Sequence, residues 1–257
     1  MRPNTTDASM PYGLDSNQSS ECVQADDDGI SFAAFHRLCA AVCAGDTAAA
    51  TQALSAGAQV NDRQADGKTP LMLAARANRA PMVMFLHALG ANLNVSDNHG
   101  DCALFHALHA QPTGGSCMID TVRTLLLMGA DCDVQDELGI PFTNYLPDRF
   151  SGHQLQDLLH QGLNFGKLSP DGDGFLHLFA LHTQSTATEA RRIIADAVAH
   201  GALINGLDSE SHTPLDVALH HNLGMMAEAL RFHGAKTSDQ LANEPEGTSH
   251  QARRSVR

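Results

Sequence analysis

One dipeptide fixes what this chain can fold into. A glycine followed by a small or apolar residue recurs as Gly57-Ala58, Gly90-Ala91, Gly129-Ala130, Gly162-Leu163, Gly201-Ala202 and Gly234-Ala235, at spacings of 33, 39, 33, 39 and 33 residues. A second marker follows 13 or 14 residues after each of the first five: Thr69-Pro70-Leu71, Cys102-Ala103-Leu104, Ile140-Pro141-Phe142, Gly174-Phe175-Leu176 and Thr213-Pro214-Leu215. Two independent markers that keep step describe one supersecondary unit copied along the chain.

The stretch from Asp66 to Asp97 shows what the unit is. Thr69 is suited to cap a helix by accepting from a free N–H, and Pro70 fits the first helical position, where no N–H is needed. Pro81 opens a second helix, predicted over Met82 to Leu89, with apolar residues at three- and four-residue intervals. Gly90 ends it, since a left-handed C-terminal cap costs glycine little. The chain then runs to a turn at Asn98-His99-Gly100. A helix pair this small cannot bury its apolar face alone, so it must stack on a neighbour.

The six extra residues in each long period fall between the two helices. Leu71 to Gly90 spans 19 residues, whereas Leu104 to Gly129 and Leu176 to Gly201 each span 25. Insertions are therefore expected around Gln111 to Ser116 and Thr183 to Thr188, in the third and fifth units.

Asp66-Gly67-Lys68-Thr69-Pro70-Leu71-Met72-Leu73-Ala74-Ala75 and Ser211-His212-Thr213-Pro214-Leu215-Asp216-Val217-Ala218 resemble the T-P-L-H-x-A signature of the ankyrin-repeat family. The resemblance implies an all-α solenoid of about six helix-turn-helix repeats joined by short β-hairpin turns. Its repeats are expected near 31–63, 64–96, 97–135, 136–168, 169–207 and 208–238. Residues 1–30 and 239–257 are read as disordered tails, from their polar composition. The fourth repeat is expected to be distorted, because Leu138-Gly139-Ile140-Pro141-Phe142 reads as one residue short and Pro147 falls in the first helix. The first repeat, without a recognisable turn, is expected to cap the stack.

In that family partners usually bind the concave face, formed by hairpin tips and the exposed side of the first helices. By position the tips are Gln64–Lys68, Asp97–Asp101, Asp136–Ile140, Pro170–Gly174 and Asp208–His212. They carry Asp66, Asp97, Asp101, Asp136, Glu137, Asp171, Asp173, Asp208 and Glu210, nine acids, against the single Lys68, with His99 and His212 beside them. The first helices should add Arg76, His109, His182, His220 and His221. A row of carboxylates would attract a basic protein surface; equally, Asp favours turns for local reasons. The histidines could make binding pH-dependent or serve capping and packing, as expected of His106 and His177.

A formal charge of −13 disfavours nucleic acid and anionic membranes. No stretch reads as a membrane span, and Met1 to Ser20 lacks the order of a secretory signal, so a cytoplasmic protein is expected. Six scattered cysteines without a C-x-x-C pair suggest reduced thiols. His36, Cys39 and Cys43 share a helical face, but no fourth ligand is indicated and no metal is expected. Asp171-Gly172-Asp173-Gly174 resembles the start of a calcium loop, yet the later bidentate carboxylate is missing. Catalytic signatures are absent, so neither a cofactor nor a small-molecule substrate is expected.

The leading expectation is therefore a non-enzymatic protein–protein interaction scaffold that binds a basic partner through an acidic concave face. Two alternatives stay open. One is a bacterial effector delivered into a eukaryotic host without a cleavable signal, suggested by the Ser/Thr/Asn-rich N-terminus. The other is a regulatory or substrate-recruiting subunit of an enzyme complex.

Overall fold

The computed structural model describes residues 29–110, 118–182 and 185–243. Six helical units stack in chain order. The first pairs α1 (Gly29–Ala44) with α2 (Thr47–Ser55), and the second α3 (Pro70–Arg76) with α4 (Ala80–Ala88). The third joins α5 (Ala103–Leu108) to α6 (Met118–Leu127). In the fourth, a 3-10 turn over Phe142–Tyr145 runs into α7 (Leu146–Arg149) before α8 (Gly152–Leu159). The fifth has α9 (Phe175–Phe179) and α10 (Ala187–Ala199), and the sixth α11 (Pro214–His220) and α12 (Gly224–Phe232), followed by a terminal α13 (Ser238–Ala242).

All six marker glycines have positive φ, from +78° at Gly162 to +107° at Gly57, as a left-handed stop after each outer helix requires. Helix starts follow from local chemistry as well. Thr69 and Thr213 accept from the backbone N–H of Met72 and Asp216, with Pro70 and Pro214 next in line. Gly174 has no side chain to cap with, and buried His177 substitutes: its Nδ1 accepts from Gly174 N at 3.1 Å, while Nε2 donates to the carbonyls of Gly206 and His212. His177 is thus a packing and capping residue.

Inner helices pack on inner helices (α1, α3, α5, then α9 and α11 across the fourth unit) and outer on outer (α4 with α6, α8 with α10, α10 with α12). Their facing sides form one continuous core of small aliphatic residues and buried Phe105, Phe142, Phe165, Phe175 and Phe179. Between units a polar ladder repeats: Asn61, Asn94 and Asn205 each accept from the backbone of the following loop, at Asn92, Asp131 and Lys236. These bonds satisfy loop amides and fix the register of successive layers.

Several sequence-based expectations need correction. The fourth unit is distorted as expected, but its turn is full length. Asp136–Ile140 closes with the same first-to-fifth backbone bond as the others, and Pro141 occupies the capping place that Thr69 holds, rather than the place of Pro70. A proline there has no hydroxyl to cap with, and the inner helix starts as a 3-10 turn. The fifth turn is Ser169–Asp173, one residue earlier than Pro170–Gly174. The insertion in the fifth unit is not all loop: Thr186 caps α10, whose 13 residues exceed the 9 of α4 and α12. Gln111 to Ser116, Thr183 and Gln184 lie outside the described residues, as do 1–28 and 244–257. The first unit begins at Gly29, and the helical part extends to Ala242 because Thr237 caps α13 and Ser238 N donates to Asp216 Oδ2 at 2.8 Å.

Candidate functional site: the hairpin tips and the inner-helix face

Five tips line one edge of the stack. Each closes with a bond from the first residue's N–H to the fifth residue's carbonyl: Gln64–Lys68, Asp97–Asp101, Asp136–Ile140, Ser169–Asp173 and Asp208–His212. The fourth residue turns left-handed; it is Gly67, Gly100, Gly139, Gly172 and, without the conformational freedom of glycine, Ser211 at φ +64°.

First-position carboxylates point into their own turns. Asp97 Oδ1 accepts from His99 N and Asp101 N, Asp136 Oδ1 from Leu138 N and Ile140 N, and Asp208 Oδ1 from Glu210 N and His212 N. The other oxygen of Asp97 receives Nε2 of His106 at 2.9 Å, and that of Asp136 receives the Tyr145 hydroxyl. Asp97, only 7% exposed, cannot touch a partner, and Asp136 and Asp208 are committed to holding the turn. Of the carboxylates read as contacts, these three are structural.

The remaining acids differ in what surrounds them. Asp66 pairs with Lys68 at 2.7 Å; burial alone would raise its pKa, but the Lys68 hydrogen bonds and charge outweigh that and lower it. Asp101 is pushed up to about 6, by partial burial first and then by Asp97, Asp136 and Glu137, with His99 opposing. Asp173 is half-buried, whereas Glu137, Asp171 and Glu210 are exposed. His99 and His212 are also exposed, and His212 lies 3.6 Å from both Asp208 and Glu210.

At the C-terminal ends of the inner helices the unit-to-unit register places Arg76, His109, Asp148, Leu181 and His220 in one column, and Ala77, Ala110, Arg149, His182 and His221 in the next, so that His109, His182 and His221, expected on the helices, lie just past them. Arg76, Asp148, Arg149, His220 and His221 are exposed. His109 has its pKa lowered by burial and then by Arg149 and Arg76, and its ring stands edge-on to Tyr145. His182 is bound to the previous unit, Nδ1 donating to Pro147 O at 2.8 Å with the ring stacked on Phe179, so it is packing more than surface. His106 is buried and its pKa lowered, burial outweighing the pull of Asp97, so it is neutral near pH 7. The tips thus carry mostly acids, while the exposed ends of the inner helices carry Arg76 and Arg149 beside Asp148.

Sequence reasoning missed Leu138, Ile140 and Tyr145. Aligning the tips by position would have revealed the first two, since the third and fifth places hold Asp66/Lys68, His99/Asp101, Asp171/Asp173 and Glu210/His212 in every other tip. Elsewhere, Cys39 packs in the core, its thiol pushed up to about 12 by burial and then by Cys43, whereas Cys43 is exposed. Among the described residues no group of three metal-ligating side chains forms, and no helix is long and apolar enough to cross a membrane.

Residues 38–136 match the family profile of ankyrin repeats in three copies. No curated protein matches the chain. Among solved structures, an ankyrin repeat domain from Acinetobacter baumannii AYE is similar at 25% identity and a TM-score of 0.64, covering 77% of this chain and 98% of that one. A chain from the complex of a predatory endopeptidase from Bdellovibrio bacteriovorus with an immunity protein is similar at 23% identity and a TM-score of 0.62, covering 76% and 97%.

Proposed function

Because the chain is an ankyrin-repeat protein, we propose that it is a non-enzymatic interaction module whose acidic hairpin edge binds a basic surface on a partner protein. The fold implies a protein–protein interaction role. The choice of face rests on one observation: the exposed tip acids Glu137, Asp171 and Glu210 fall in three successive units, in a molecule of formal charge −13. Charges placed this way steer encounter with a cationic surface and set the orientation of docking. Asp97, Asp136 and Asp208 support the reading indirectly, by fixing the internal shape of each tip.

Binding by the wild type is compared with that of Glu137→Lys/Asp171→Lys/Glu210→Lys in affinity purification at low and at raised salt. Partners that survive charge reversal at low salt overturn the proposal. A second reading, inhibition or recruitment of an enzyme, draws on the similar fold in the endopeptidase–immunity protein complex. A stoichiometric enzyme whose turnover falls on binding would support it. Delivery into a host cell rests on residues outside the described ones and is tested by fusing residues 1–30 to a secretion reporter.

A further inference from the structure

The fourth tip breaks the pattern of the row. Its third and fifth places hold Leu138 and Ile140, where every other tip has two ionisable side chains. Leu138 is 62% exposed at the end of the finger, so it contributes little to the core. Acids surround it: Glu137 precedes it, Asp101 lies on the tip before, and Asp171 on the tip after.

This finger is also the one least tied to its neighbours. Asn98 N donates to Asp66 O at 3.0 Å and Ser209 N to Asp171 O at 2.7 Å, joining the tips of the second and third units and those of the fifth and sixth, each tip being numbered by its unit. No corresponding bond joins the third and fourth tips among the described residues, and at the next junction the donor position is Pro170, which has no N–H. Gly139 instead packs on Pro170, where an added Cβ would come within 3.1 Å of the ring. The fourth finger is held from below by the Tyr145 hydroxyl on Asp136. It can adjust its position without breaking a ladder of backbone bonds.

Together with the charge around it, this points to a specific occupant. We propose that the fourth finger is the apolar anchor of the binding edge, receiving the leucine, methionine or phenylalanine of an extended basic segment whose lysines or arginines meet the acids of the adjoining tips. The proposal rests on the acidic edge being the binding face and adds which residue in the partner decides recognition. Stacked helices lie about 10 Å apart, and a segment in the extended polyproline II form advances about 3.1 Å per residue with every third side chain on the same face. The cations are therefore expected about three residues to either side of the apolar residue. Energetic centres of interfaces are desolvated contacts ringed by others that exclude water.

The test uses two short fluorescein-labelled peptides with lysines at that spacing, one with a central leucine and one with a central alanine. Their binding to the full chain, to Leu138→Ser and to Glu137→Lys/Asp171→Lys/Glu210→Lys is followed by anisotropy at low salt. The wild type is expected to prefer the leucine peptide by about tenfold. Leu138→Ser should abolish that preference while keeping the salt dependence, and the charge-reversed variant should weaken both peptides. Equal binding of the two peptides, or a preference that survives Leu138→Ser, overturns the anchor while leaving the acidic edge standing. Binding undiminished by charge reversal, or no binding of either peptide, overturns both. Because Leu138 is exposed, its variant is expected to melt with the wild type, which separates lost recognition from lost structure.

Discussion

Replacing Asp101 by Asn should stabilise the protein at neutral pH and do so much less in acid. The carboxyl is raised from 3.8 to about 6, by partial burial and by the charges of Asp97, Asp136 and Glu137. A carboxyl with a raised folded-state pKa favours folding when protonated; that benefit is complete below 3.8 and is lost as pH rises through about 6. At pH 7.5 the wild type therefore holds an ionised group that its surroundings oppose. For a fully buried group such a displacement would correspond to about 3 kcal/mol. Asp101 is half-exposed, and solvent screening reduces this to about 1 kcal/mol. Asn has the same shape, and the turn uses only the backbone of residue 101, so the change removes charge and little else. Calorimetric melting should show a gain of about 3 °C at pH 7.5, most of it gone by pH 4.5. A lower melting temperature at pH 7.5, or an equal gain at both pH values, would refute the reasoning.

Other substitutions test separate parts of the structure. Ser211 holds at φ +64° the place that Gly67, Gly100, Gly139 and Gly172 hold in the other turns; Ser211→Gly should raise stability by about 1 kcal/mol in urea denaturation. His106→Leu removes the hydrogen bond to Asp97 and leaves a buried carboxylate oxygen unsatisfied, and should cost about 3 kcal/mol by the same assay. Because His106 has a lowered pKa, its contribution is full above the unfolded value of 6.5 and lost as pH falls below it, so the wild type and His106→Leu should converge in acid. Asp216 is held below its usual pKa by hydrogen bonds from Thr213 and Ser238 that outweigh the effect of burial. Asp216→Ala should release α13, seen as faster hydrogen exchange over 238–242, and cost about 1 kcal/mol.

The layers of the fold were legible because their requirements are local. A left-handed stop needs glycine, as at Gly57 through Gly234, and a helix start needs a hydroxyl and tolerates proline, as at Thr69 and Thr213. Where local signals compete, reading failed. Pro141 next to Phe142 mimicked the Thr-Pro-Leu start while occupying the capping place, and Asp171-Gly172-Asp173-Gly174 drew attention one residue past the real turn at Ser169. The capping box of Thr237 and Gln240 starts α13 in a stretch whose polar composition read as tail. Less of the proposed binding edge was legible. Sequence counts carboxylates and does not say which way they face, and Asp97, Asp136 and Asp208 turn inward because each saturates two N–H groups of its own hairpin. Leu138 went unnoticed since a lone leucine in a polar turn acquires meaning only when the five tips are aligned.

Hydrogen exchange of the whole chain, with and without the leucine-centred basic peptide, tests the binding edge most directly. Protection is expected at the amides of the tips 136–140 and 169–173 and over the 3-10 turn beneath them, with the outer helices α4, α6 and α8 unchanged. Protection confined to those outer helices would place the contact on the opposite side of the stack and contradict the account.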